Sequence, residues 1–210
     1  MSKVILLNGS PHENGCTARA LEEMVSVFTE EGVETEVIQV GNKAVRGCVA
    51  CKRCRELGRC VFDDLVNEVA KKLKDADGLV IGSPVYYGSP NGTILAFLDR
   101  LFYSTGSMPK QMKVGAAVVS ARRGGNTASF DVLNKYFTIS EMPVASSTYW
   151  NQVHGFTRED VEKDLEGLQT MRNLARNMTF MMKAFADEKE KLGYPESESG
   201  SFTSFADGLR

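Results

Sequence analysis

The sequence predicts a doubly wound α/β domain, with a five-stranded parallel sheet sandwiched between helices. Three observations predict it. Short continuous apolar runs recur at Val4–Leu7, Gly78–Ile81 and Val114–Val119, as in strands buried on both faces. Segments with apolar residues at helical spacing lie between them. Loops of Gly, Ser, Pro and Asn follow the carboxyl ends of the runs. Alternation of this kind gives a three-layer α/β/α sandwich, because the crossovers between parallel strands place helices on both faces.

Taken in order, Val4–Leu7 is the first strand. It is too short for a signal-peptide core of about 7–15 residues. Residues 16–31 carry Ala18, Leu21, Met24, Val25 and Phe28 at helical spacing, and Gly32 is the expected stop. Val33–Val40 is the second strand, and residues 41–62 form a loop that holds four cysteines. A helix follows over 63–74, with Leu65, Val66, Val69 and Leu73 on one side. Strand 78–81, helix 91–103, strand 114–119 and helix 126–137 come next, and Pro143–Ser147 is the expected fifth strand. Thr157 and Asp160 resemble a capping box. They are expected to open one long helix whose stripe runs through Val161, Leu165, Leu168, Met171, Ala175, Met178, Met182 and Phe185. Five such strands suggest the flavodoxin-like order 2-1-3-4-5, in which ligands bind outside the carboxyl ends of the strands. The domain is expected over 1–192, with the cysteine-rich loop 46–62 inserted after strand two. The tail, 193–210, contains Phe202 and Phe205 and is expected to dock on a neighbouring subunit.

Composition narrows the function. At 42% hydrophobic residues the 210-residue chain is too apolar for disorder. Its 25 Lys+Arg against 27 Asp+Glu leave a net charge of -2, so no basic footprint for nucleic acid exists. No run approaches the roughly 18 apolar residues of a membrane span. The cytoplasm is the expected compartment, where thiols stay reduced. Met181, Phe180 and Phe185 make the last helix apolar on more than one side, which predicts a homodimer or homotetramer.

Three loops stand at carboxyl ends. The first, Gly9-Ser10-Pro11-His12-Glu13-Asn14-Gly15-Cys16-Thr17, places small and hydroxyl residues at a helix start, either as an anion site or as an ordinary turn and cap. With no Lys-Ser or Lys-Thr it is not a Walker loop, and it suits a phosphate monoester that is held rather than transferred. The second, Ser83-Pro84-Val85-Tyr86-Tyr87-Gly88-Ser89-Pro90, offers a rigid wall with flat apolar faces, as an isoalloxazine ring needs, or else a tyrosine pair packed under a turn. The third is Ser120-Ala121-Arg122-Arg123-Gly124-Gly125-Asn126-Thr127, a second small-residue helix start or a solvated loop.

Together these motifs resemble the NAD(P)H-dependent FMN reductase superfamily, and within it the iron–sulfur flavoprotein branch, over roughly residues 1–190. The resemblance implies a flavodoxin-like fold and non-covalent FMN. By position it implies that Ser10, His12, Asn14, Gly15, Cys16 and Thr17 hold the phosphate and ribityl chain. Pro84, Val85, Tyr86, Tyr87 and Gly88 would flank the ring, and Ala121, Arg122 and Gly124 would close its far edge.

The cysteines read Cys48-x2-Cys51-x2-Cys54-x5-Cys60. Three thiols at intervals of three can wrap one cluster and a fourth can close it, as in bacterial ferredoxin runs. The interleaved Lys52, Arg53, Arg55 and Arg59 favour thiolates. A [4Fe–4S] cluster, free thiols, zinc and a disulfide remain open readings, although zinc usually takes two pairs set further apart. Trp150, the only tryptophan, and His154 follow the last strand. With Tyr86 and Tyr87 they are the candidates for substrate contact or catalysis, against packed structural roles.

The expected activity is transfer of electrons from NAD(P)H through FMN to a quinone, an azo or nitro compound, a free flavin or a similar small-molecule acceptor. The first alternative is an electron carrier that relays between a ferredoxin and FMN through the cluster. The second is a zinc-stabilised binding module without catalysis.

Overall fold

The computed structural model describes residues 1–198 together with 200, 201 and 203. Phe202 and Phe205 of the tail lie outside the described residues. Six strands and seven helices are found among the described residues: β1 (Lys3–Asn8), α1 (Cys16–Glu30), β2 (Glu34–Gln39), α2 (Cys54–Leu57), α3 (Leu65–Asp75), β3 (Gly78–Tyr86), β4 (Ser89–Pro90), α4 (Gly92–Ser104), β5 (Val114–Ala121), α5 (Asn126–Thr138), β6 (Gln152–His154), α6 (Arg158–Val161) and α7 (Leu165–Leu192).

The five parallel strands run β2-β1-β3-β5-β6, which is the expected flavodoxin-like order. The short β4 turns back antiparallel on β3, with Tyr86 opposite Ser89. Its turn has positive φ at Tyr87 (50°) and Gly88 (78°), as a two-residue I′ hairpin requires. Tyrosine is strained there, since a side chain rarely adopts the left-handed region.

Alternation along the strands divides the core in two. Val4, Leu6 and Val80 pack beneath α1 and α7. Ile5, Leu7, Leu79 and Ile81 pack beneath α3, α4 and α5. Burying each such side chain contributes about 1.5–3 kcal/mol, so both helical layers are anchored on the same central strands.

Two expectations are corrected. The fifth strand is Gln152–His154, not Pro143–Ser147. That stretch makes a single bridge, Gly115 to Val144, because its backbone meets the start of β5 and then leaves. The helix that opens at Thr157 is also not continuous. The Thr157/Asp160 capping box is present, but α6 ends after one turn, and Asp164 caps a new helix by accepting from the Gly167 N–H. Along α7, Met171, Met178 and Met182 are buried, and Met181 and Phe185 pack against the same core. Phe180 is exposed, as are Leu165 and Leu192 at the two ends of the helix, so Leu165 leaves the expected core stripe and mid-helix the second apolar side narrows to Phe180. Among the described residues no helix is long and apolar enough to cross a membrane.

Candidate functional site: a flavin cradle and a cysteine loop

The loop after β1 is held from two neighbouring strands. Asn8, 2% exposed, donates through Nδ2 to Gln39 Oε1 (2.7 Å) and accepts from the Ser10 N–H (3.0 Å). Gln39 Nε2 donates to the Ser10 carbonyl (2.6 Å), the Gly9 N–H donates to the Gly82 carbonyl (2.8 Å), and the His12 N–H donates to Ser10 Oγ (3.1 Å). A side chain at Gly41 would overlap the backbone of Gly9 and Ser10, so close approach of β2's exit clamps this loop as well.

Helix caps separate the ligand-facing helices from most of the others. Asp64 caps α3, Asn91 caps α4, Thr157 caps α6 and Asp164 caps α7 with side-chain oxygens. The helices that follow β1 and β5, α1 and α5, start at Gly15 and Gly125 and have no side-chain cap. The first-turn N–H groups of an α-helix have no intrahelical partner, so these two starts are left to bind something else. Gly125 stands at φ 93°. A Cβ there would approach Val85 Cγ1 to 2.7 Å and the Gly88 Cα to 2.8 Å, so the β3–β4 hairpin sits directly on the start of α5.

A cavity of about 880 Å³ opens between these loops, in the usual size range for a cofactor site. Ser10, His12, Asn14, Gly15, Cys16, Thr17, Pro84, Val85, Tyr86, Ala121 and Arg122 line it. Tyr87, Gly88 and Gly124 do not. Tyr87 projects into solvent at the hairpin tip, and a Cβ added at Gly88 or at Gly124 would meet nothing within 4 Å. Thr17 is buried and shares a hydrogen bond with Ser120 Oγ (2.8 Å), which joins α1 to the end of β5. The Cys16 side chain is engaged across the cavity wall. Its thiol donates to the carbonyls of Thr157 (3.2 Å) and Gly155 (3.5 Å), and burial pushes its pKa up.

Among the lining residues the cations are Arg122 and Arg158, set against Glu13 and Glu159, and no lysine is present. Arg158 is itself paired with Glu22. An anion in this cavity would therefore depend on backbone N–H groups and hydroxyls rather than on net side-chain charge. That donor set fits a phosphate monoester, and the Pro84–Tyr86 wall fits a flat ring. Sequence reasoning missed the last wall, Gly155–Glu159, which includes the exposed Phe156. The signal is present in the sequence, since these residues follow the carboxyl end of a strand, but the expected fifth strand at 143–147 draws it away.

The other two candidates stand elsewhere. Trp150 lies 4.9 Å from the Tyr149 ring and lines a separate cavity with Phe130 and Asn134. His154 donates its backbone N–H to Asp164 (2.6 Å), and its Nδ1 lies 3.7 Å from the same carboxylate. It does not line the cradle.

In the cysteine loop Cys60 is buried, Cys54 half-buried, and Cys48 and Cys51 exposed, and all five thiols of the chain are unpaired. Ala50 (φ 51°) and Lys52 (φ 59°) take left-handed backbone on either side of Cys51, a cost of about 1–3 kcal/mol each. All four loop cysteines border one small cavity with Arg100, Tyr103 and Ser104 of α4. Its free space is about 20 Å³, so a multi-atom group would require the exposed arm to swing outward. Among the described residues no three Cys, His, Asp or Glu side chains surround a common point suited to one ion. Four thiols bordering one cavity are the donor set that either a multi-iron cluster or a zinc ion takes. Asn67 fixes Cys60 by accepting from its N–H and donating to its carbonyl, both at 3.0 Å. Burial lowers the pKa of Arg100, but hydrogen bonds with Asp64 and Cys60 more than offset it.

Comparison with known proteins agrees with this geometry. The family model described as NADPH-dependent FMN reductase matches residues 2–157. An iron–sulfur flavoprotein of Methanocaldococcus jannaschii is 34% identical over 188 residues, covering 86% of this chain and 97% of that protein. One of Methanosarcina thermophila is 28% identical and covers 90% of this chain and 100% of its own length. The solved structure of RosB with a bound 8-demethyl-8-formylriboflavin-5'-phosphate intermediate superposes with a TM-score of 0.71 at 13% identity, covering 100% of this chain and 94% of RosB. At that identity the last match speaks to the fold alone.

Proposed function

Because the chain belongs to the NADPH-dependent FMN reductase family, in its iron–sulfur flavoprotein branch, we propose that it passes electrons from NAD(P)H through FMN to a small-molecule acceptor. Flavin-dependent oxidoreduction is the family's chemistry. The acceptor, whether a quinone, an azo or nitro compound or a free flavin, belongs to the proposal. The observation that carries the reading is the cradle itself, where two uncapped helix starts and a proline–tyrosine wall meet around one cavity.

FMN, when bound, supplies hydride acceptance from a nicotinamide and onward electron delivery. The chain's part is to bind and orient. Ser10, Thr17 and the first turn of α1 would hold the phosphate, Pro84–Tyr86 would face the ring, and Ala121 and Arg122 would close its edge. Tyr86 and Phe156 line the cavity and are both exposed, so the second reactant would approach past them. Neither Trp150 nor His154 reaches this cavity, so no proton-transfer role is assigned to them.

The four cysteines bordering one cavity, together with the iron–sulfur relatives, favour a second reading. In it Cys48, Cys51, Cys54 and Cys60 hold a [4Fe–4S] cluster, and the protein relays electrons between a ferredoxin and FMN. Free thiols throughout suit the cytoplasm, and a homodimer or homotetramer would cover Phe180.

Two sets of anaerobic reactions test the proposal: NADH or NADPH as donor with menadione as acceptor, and reduced ferredoxin as donor to the flavin without a nicotinamide. Rapid nicotinamide oxidation coupled to menadione reduction supports the reductase. Flavin reduction by ferredoxin alone supports the carrier and overturns the reductase.

A further inference from the structure

Among the described residues Arg100 is the largest side chain buried completely, at 1% exposure. A buried charge is costly unless it is paired and hydrogen-bonded. Asp64 supplies a two-armed partner, at 2.7 Å from Nη1 and 2.9 Å from Nη2. Yet Asp64 is 37% exposed, and one of its oxygens also caps α3. The rest of the guanidinium is turned toward the cysteine loop. Nη2 lies 3.3 Å from Cys60 Sγ and 3.5 Å from the Phe62 carbonyl. The Phe62 ring lies 5.2 Å from the guanidinium carbon. Nε is buried with no partner, and Arg100 lines the cavity that the four loop cysteines border.

This positive charge is therefore not spent on Asp64 alone. It stands against the one cysteine of the four whose backbone is clamped from both sides by Asn67. Cys48 and Cys51 are exposed, and among the described residues no backbone hydrogen bond holds either of them.

We propose that Arg100 is a positioning residue for the cysteine-bound group: it holds Cys60 by its sulfur and presents a buried positive charge to the anionic cluster that the four thiolates bind. The inference rests on the [4Fe–4S] reading of the loop. A reduced cluster carries one more negative charge than an oxidised one, so a fixed cation beside a ligating sulfur stabilises the reduced form and raises the reduction potential. The competing role is a brace, in which Arg100 only ties α4 to the start of α3 through Asp64.

The test compares the parent protein, Arg100→Gln and Asp64→Asn, all purified anaerobically and reconstituted with iron and sulfide. The readouts are iron and acid-labile sulfide per chain, the rate of iron loss to a chelator, the midpoint potential by electron paramagnetic resonance, and FMN per chain as the folding control. Arg100→Gln is expected to keep parental FMN, lose iron several-fold faster and shift the midpoint to more negative values. Asp64→Asn removes the brace but keeps the charge, so its midpoint is expected at or above the parent's. Parental iron retention and midpoint in Arg100→Gln overturn the proposal. So does an equal negative shift in both variants, or joint loss of FMN and iron in Arg100→Gln, either of which assigns the brace. A parent that takes up neither iron nor sulfide overturns the cluster reading and this inference together, whereas an iron-loaded parent with an indifferent Arg100 overturns this inference alone.

Discussion

The cradle after β1 and the cysteine loop after β2 leave the carboxyl ends of neighbouring strands, and they differ in what holds their backbone. The cradle is fixed from outside itself. Asn8, Gln39, Gly41 and Gly82 restrain Gly9 and Ser10 before any ligand arrives. The cysteine loop is anchored chiefly at one end, where Asn67 and Arg100 grip Cys60. Its other end carries two exposed thiols and two residues in left-handed backbone. A preformed site costs little ordering on binding. A site anchored at one end is expected to gain order from the group it binds, because metal binding to unformed ligand sets couples to local folding.

The sharpest break of this comparison uses two glycines. Gly41→Ala drives a methyl group into the cradle backbone and is expected to cost about 3 kcal/mol, a fall in Tm of about 6–12 °C for a chain of this size, with loss of FMN binding. Gly47→Ala, in the cysteine loop where a Cβ meets nothing within 4 Å, is expected to stay within about 0.5 kcal/mol of the parent. Calorimetry with FMN titration measures both, and equal effects would contradict the contrast.

Next in size, replacing Cys48 and Cys51 with serine is expected to abolish iron uptake while FMN per chain stays at the parental value, as measured by metal and flavin analysis. Joint loss of both would mean that the sites are one unit. Thr17→Val leaves Ser120 Oγ without its buried partner, at about 1–2 kcal/mol. The substitution also removes a hydroxyl proposed to hold the phosphate, so FMN is expected to dissociate more readily, which flavin fluorescence reads.

The smallest effect is electrostatic. Burial alone would raise the Glu23 carboxyl, but Arg172 and Arg19 bring it below its ordinary 4.5. Its pair with Arg172 ties α1 to α7, its pair with Arg19 lies within α1, and both are fully present above that ordinary value. They are lost as the pH falls through the lowered one. Glu23→Gln should remove about 1 kcal/mol or less of this acid dependence, visible in Tm against pH. The ion pairs in and beside the cysteine loop, Arg53–Glu56 and Arg59–Asp63, are mostly exposed and are expected to add nothing measurable.

Legibility in the sequence follows the same division. The buried strands and their glycine-rich exits could be read because a parallel sheet demands continuous apolar runs and close backbone approach. Eleven of the fourteen residues named from those loops line the one cavity. β6 could not be read, because three residues with one buried side chain, Val153, carry no periodic signal, whereas Val144 and Ala145 look more strand-like. That single displacement hid the wall at Gly155–Glu159 and drew Trp150 and His154 toward a cavity they do not reach. Arg100 was illegible for another reason. A lone arginine in the apolar stripe of α4 shows its meaning only when folding sets it against Asp64 and Cys60, 36 and 40 residues away. The break at Asp164 was masked by a helical stripe that runs through it unbroken.

The most direct test of the central claim, that the cradle is a preformed FMN site independent of the cysteine loop, is the flavin content of protein in which Cys48, Cys51, Cys54 and Cys60 are all serine. The expected result is a yellow protein with one releasable FMN per chain, restored after stripping by FMN alone. Colourless protein that folds but takes up no FMN would contradict it.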